Sequence, residues 1–132
     1  MNIYVLIAGI LSFIGLLAHA FIGTRETLLT NTGFENKTIE KYWYQEFMAW
    51  HLVTADLFLS SVLLILISIT NILDDKKTIA FVFALQYAVW TLASLIVLLT
   101  TTGRKYFKEL PHWIFFLVCS ILLFYGMNRF DT

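Results

Sequence analysis

Long apolar stretches broken by short clusters of charge set the pattern of this chain. Residues 1–24 contain no Asp, Glu, Lys or Arg; residues 47–73 contain only Asp56; residues 78–103 and 110–128 contain none. About 20 helical residues at 1.5 Å rise cross a hydrocarbon core of about 30 Å, and a helix is the open-chain structure that satisfies its own backbone there. The pattern therefore predicts four transmembrane helices near residues 3–23, 47–72, 78–102 and 111–128. Ala18-His19-Ala20 imitates a signal-peptide cleavage site, but no basic region precedes the apolar stretch, so the first run is read as a retained helix.

The connections refine the architecture. Residues 24–46 hold the turn signal Asn31-Thr32-Gly33, then Lys37, Glu40, Lys41, Tyr42, Trp43 and Tyr44, which reads as an amphipathic segment lying at the membrane interface. Only Asp74-Asp75-Lys76-Lys77 separates helices 2 and 3, which predicts a tight antiparallel hairpin, and Pro111 suits the first position of helix 4. The expected fold class is an all-α integral membrane protein, a single-domain up-down bundle of four transmembrane helices spanning residues 1–132.

Composition agrees with that class. Of 132 residues, 59% are apolar and 14% charged, against about 45–50% and about 25% in soluble domains. Nine Lys and Arg balance nine Asp and Glu with no basic run longer than two, which leaves no footprint for nucleic acid and no polybasic lipid anchor. Cys119 is the single cysteine, so no intrachain disulfide or cysteine-based zinc motif is available. Loops 1 and 3 carry Arg25, Lys37, Lys41, Arg104, Lys105 and Lys108, whereas the opposite side carries Lys76, Lys77 and Arg129. The positive-inside bias places loops 1 and 3 in the cytoplasm and both termini outside, in a cell inner membrane.

Candidate chemistry lies among the polar residues of the apolar runs. His19, His51 and His112 all fall within about one helical turn of the loop 1 and loop 3 face, with Glu26 and Glu46 on the same rim. On helix 1, Ser12, Gly15, His19, Gly23 and Glu26 form a small, polar stripe that should face the bundle; His112, Cys119 and Gly126 do so on helix 4, and Gln86, Trp90, Ala93, Val97 and Thr100 or Thr101 on helix 3. Asp56 lies deeper, where a carboxylate carries an insertion penalty of about 2.5–3.5 kcal/mol and has to be paired, hydrated or protonated. Its possible donors are Gln86, Thr54, a histidine or water.

Three function classes fit these residues. The first is a small transport or ion-conducting protein in which Asp56 is a protonatable or cation-binding site served by Glu46, His51, His19 and Gln86. Four helices enclose too little volume for a substrate path, so the path would form between protomers of a homo-oligomer in the lipid bilayer. The second is a metal or haem centre ligated by His19, His51 and His112, with the possibility of membrane enzymology. The third is an assembly subunit whose polar residues only bind helices together. Phosphate-binding glycine loops, nucleophile elbows, H-E-x-x-H pairs and C-x-x-C motifs are all missing from the chain, so any chemistry is intramembrane or interfacial.

Overall fold

The computed structural model describes residues 1–31, 33–34, 36–100, 106–107 and 109–130. Among them every regular element is helical. α1 (Ile3–Leu17) runs without a break through a π-helical turn (Ala18–Gly23) into α2 (Thr24–Leu29), forming one rod of 27 residues. α3 (Lys37–Ile69) has 33 residues, α4 (Lys76–Thr100) has 25 and α5 (His112–Met127) has 16.

Short polar residues set the helix ends. Asn2 caps α1 by accepting from Val5 N–H at 3.3 Å, and its amide donates to the Gly126 carbonyl at 2.7 Å, tying the start of α1 to the end of α5. Asn36 caps α3 by accepting from Thr38 N–H at 2.8 Å, and Asp75 accepts from Thr78 N–H at 3.2 Å at the head of α4. Pro111 precedes α5 as its cap residue.

Three of these elements are long and apolar enough to cross a membrane: Ile3–Leu29, Lys37–Ile69 and Lys76–Thr100. α5 is apolar but shorter than the fourth span anticipated from the sequence, since its 16 residues reach about 24 Å. Proline at one end and Asn128-Arg129 at the other confine it.

The segment between helices 1 and 2 also departs from the sequence reading. No separate interfacial segment forms among the described residues. The rod from α1 continues to Leu29 and α3 already begins at Lys37, so residues 24–29 and 37–49 extend the two helices past the end of α5. At about 50 Å, α3 exceeds a hydrocarbon core by several turns. Trp43 Nε1 donates to Thr30 Oγ1 at 3.0 Å and the indole stacks on Phe47 at 5.0 Å, bracing the extension. The basic residues assigned to loop 3, Arg104, Lys105 and Lys108, lie outside the described residues, as does Thr101.

Packing order is α3, α1, α5, α4, with α1 and α5 in the middle. The tight hairpin anticipated between the second and third long helices, α3 and α4, is therefore loose: they are joined by residues 70–75 yet meet sparsely. Small residues on α1 and α5 accompany the closer contacts. A Cβ on Gly9 would lie 2.9 Å from Ile65 Cγ1 and 3.0 Å from the Ile65 backbone nitrogen, and one on Gly126 would lie 2.8 Å from Val5 Cγ2. α1 thus approaches α3 and α5 closely, as small residues allow in membranes, whereas α4 packs on α5, with Ser120 Oγ donating to the Ala84 carbonyl and Tyr87 stacking on Phe116. The core comprises Val5, Ala8, Leu64, Ile67, Ala80, Phe83, Ala84, Tyr87, Cys119 and Leu123. Phe13, Ile14, Leu59, Leu92, Ile96 and Ile121 are exposed around it, an apolar outer face suited to acyl chains.

Candidate functional site

Asp56 on α3 is half-buried and turned toward α4, where Gln86 Nε2 donates to Asp56 Oδ2. Its neighbours on that face are Ser60 and Leu63, while Leu52 and Leu59 are exposed. The pair sits on the sparsely packed α3/α4 seam. Along the helix it lies about 9 Å from the level of Trp50 and about 18 Å from that of Ser68.

One turn deeper, three hydroxyls from three helices converge. Tyr87 Oη lies 2.6 Å from Ser12 Oγ and 3.1 Å from Ser60 Oγ, and all three side chains are fully buried. Ser12 Oγ is also 2.8 Å from the Ala8 carbonyl and Ser60 Oγ is 3.1 Å from that of Leu57. Three hydroxyl protons serve these four contacts: with Ser12 donating to the Ala8 carbonyl and Ser60 to that of Leu57, the Tyr87 proton goes to Ser12, the nearer of its two serine neighbours. Trp90, Phe115 and Phe116 surround the phenol ring at centroid distances of 5.7, 6.4 and 6.1 Å. Tyr87→Phe removes the central link while preserving the ring, and should lower stability by about 1 kcal/mol because interhelical hydrogen bonds in membranes are worth that little. An SDS titration of the purified variant followed by circular dichroism measures it; a loss above about 3 kcal/mol would mean that the phenol packs differently.

At the next level His19 stacks on Trp50 with ring centroids 3.7 Å apart and planes 10° from parallel. Its Nδ1 lies 2.9 Å from Thr54 Oγ1, which in turn lies 3.2 Å from the Trp50 carbonyl. Gly23 makes room, since an added Cβ would come within 2.2 Å of the Trp50 ring. The π-helical turn carries both His19 and Gly23. Such a turn inserts one extra residue and so rotates the downstream part of the helix by about 100°. Glu26, placed with His19 by regular helical spacing, is accordingly exposed.

The remaining sequence candidates are exposed. His51 is exposed and its ring meets Phe47 edge-on at 4.5 Å. His112, the first residue of α5, is exposed as well. Glu46 is exposed in a shallow groove on α3 lined by Tyr42, Gln45 and Ala49. Among the described residues no group of three or more His, Cys, Asp or Glu is placed to hold a metal ion. The expected ligands His19, His51 and His112 do not make such a group; His19 contacts Trp50 and Thr54, and His51 contacts Phe47.

The inward face of α4 also differs from the sequence stripe. Ala80, Phe83, Ala84, Tyr87, Thr91 and Leu98 are buried, whereas Ala93, Val97 and Thr100 are not. Gln86 and Trp90 lie at the edge of the buried stripe. Sequence reasoning missed Tyr87, although alanines and phenylalanine three, four and seven residues before it mark that face. Comparison with protein-family models, curated proteins and solved structures yields no match.

Proposed function

We propose that the chain is a small membrane transport or ion-conducting protein that moves protons or small cations past Asp56. The observation that carries this reading is a carboxylate held within an apolar helix by the amide of Gln86, one turn from the hydroxyl chain Ser60, Tyr87 and Ser12. A carboxylate in this position can take up and release a proton or hold a cation, and the amide and hydroxyls supply the polar contacts that hydrocarbon lacks.

The polar column covers only part of the bundle. Beyond Ser60 the interior is closed by Val5, Leu64, Ile67 and Leu123, all buried. A path down the centre of one chain is thus obstructed, while Asp56 stands at the open α3/α4 seam. On this reading a second copy completes the path by covering that seam, and the protein works as a homo-oligomer. The helical extension with Arg25, Lys37 and Lys41 then lies on the cytoplasmic side of a cell inner membrane, with the termini outside.

Purified protein reconstituted into liposomes holding a pH-sensitive dye tests the reading. Under an imposed potassium diffusion potential, proton entry should exceed that of protein-free vesicles and rise more steeply than linearly with protein density. Proton, sodium and potassium fluxes all equal to those of protein-free vesicles would overturn it.

A further inference from the structure

The outer side of α4 carries a regular pattern of its own. Val82, Leu85, Val89, Leu92 and Ile96 are each between 43% and 60% exposed, and they lie opposite the buried stripe of Phe83, Ala84, Tyr87 and Thr91. Their spacing alternates three and four residues, which aligns them in one seam about 21 Å long. Within that heptad repeat every first position is β-branched and every fourth is leucine, and the sequence continues the series at Leu99. Branched residues at the first position with leucine at the fourth are the combination that selects two parallel strands. We propose that α4 pairs through this seam with α4 of a second copy, forming a parallel two-fold dimer.

Any apolar face satisfies acyl chains, so the shape of the side chains, and not their hydrophobicity, has to identify the occupant. The outer stripe of α1 is interrupted at Ala18 by the π-helical turn, and that of α3 mixes Met48, His51, Ala55 and Phe58. Of the three long helices, α4 keeps the one uninterrupted register. Charge favours a like partner. Residues 78–103 hold no Asp, Glu, Lys or Arg, and Lys76 and Lys77 fall on the second and third heptad positions, so parallel copies do not set their ammonium groups face to face. Ala88 and Ala93 flank the seam and let two backbones approach. Two copies inserted in one orientation are related by a two-fold axis along the membrane normal, which sets each seam residue beside its own counterpart. Five side chains exposing about 100 Å² each give a pair of copies on the order of 1,000 Å² to bury, the size at which a specific interface begins. Gln86 borders the seam, so the paired helices stand beside the Asp56 contact. The dimer concerns assembly alone and does not rest on transport.

Disulfide crosslinking in membranes tests it. Cys119 is fully buried, so the unmodified chain serves as the blank. Mild oxidation of Val82→Cys, Leu85→Cys, Val89→Cys, Leu92→Cys and Ile96→Cys should each yield several-fold more covalent dimer than Ile14→Cys on α1 or Ile121→Cys on α5, positions that are equally exposed. In sedimentation equilibrium of the detergent-solubilised protein, the Val89→Ala, Leu92→Ala double variant should raise the dimer dissociation constant about tenfold, because side-chain packing is what holds helices together in a membrane. Circular dichroism confirms that each variant is folded. Crosslinking no greater than at Ile14→Cys and Ile121→Cys, or a dissociation constant unmoved by the double variant, would exclude the α4 dimer. Seam crosslinks in a protein without proton or cation flux would uphold the dimer and overturn transport; flux without seam crosslinks would do the reverse.

Discussion

Asp56→Asn should retain the helical content and oligomeric state of the wild type while reducing proton or cation flux in reconstituted vesicles to that of protein-free vesicles. The amide is nearly isosteric with the carboxylate and can still accept a hydrogen bond from Gln86, so the α3/α4 contact is kept. What disappears is the negative charge and the ability to exchange a proton. Asp56→Leu separates this role from a purely adhesive one. It strips Gln86 of its acceptor, at about 1 kcal/mol of helix association, but also removes an insertion penalty of about 2.5–3.5 kcal/mol. A transport site therefore predicts that Asp56→Leu accumulates in the membrane at least as well as the wild type and is equally inactive. Unchanged flux in Asp56→Asn together with weakened assembly in Asp56→Leu would assign the residue to holding helices together.

Gly9→Leu should be the most damaging single substitution for the fold. Its Cβ would press on the Ile65 backbone nitrogen at 3.0 Å and on Leu64 Cβ at 3.2 Å, and neither can swing aside as the tip of a side chain can. The remaining leucine atoms have no space at the α1/α3 contact, so the helices must separate. Overpacking costs about 1–3 kcal/mol, and the upper end is expected because backbone is involved. The midpoint of an SDS titration should fall accordingly, and disulfide crosslinking between cysteines introduced on α1 and α3 should slow. Gly126→Ala is the milder comparison, since its closest obstacle is a Val5 methyl group at 2.8 Å that has some freedom to shift. Equal stability of Gly9→Leu and the wild type would refute the close α1/α3 approach.

The chain by itself determined the helical class and the approximate location of its four apolar helices, because charge-free runs of this length have few alternatives in hydrocarbon. It also singled out Asp56, since a lone carboxylate in such a run is costly wherever the helix points. It left the donor to Asp56 open among Gln86, Thr54, a histidine and water; only the juxtaposition of α3 and α4 selects Gln86. Tyr87 shows why the rest was not legible. A tyrosine in an apolar helix reads as packing, and only the meeting of three helices turns its hydroxyl into the link between Ser12 and Ser60. Neighbourhood in the bundle was likewise decided by shape: the short connection suggested that α3 and α4 pack tightly, but α1 packs against α3 and α5 with Gly9 and Gly126 at the close approaches. The π-helical turn is the clearest case of tertiary control. Regular spacing aligns His19 with Glu26, whereas the inserted residue leaves His19 stacked on Trp50 and turns Glu26 outward. Periodicity in a sequence assumes a constant helical pitch, and close packing against a neighbouring helix is what breaks that assumption.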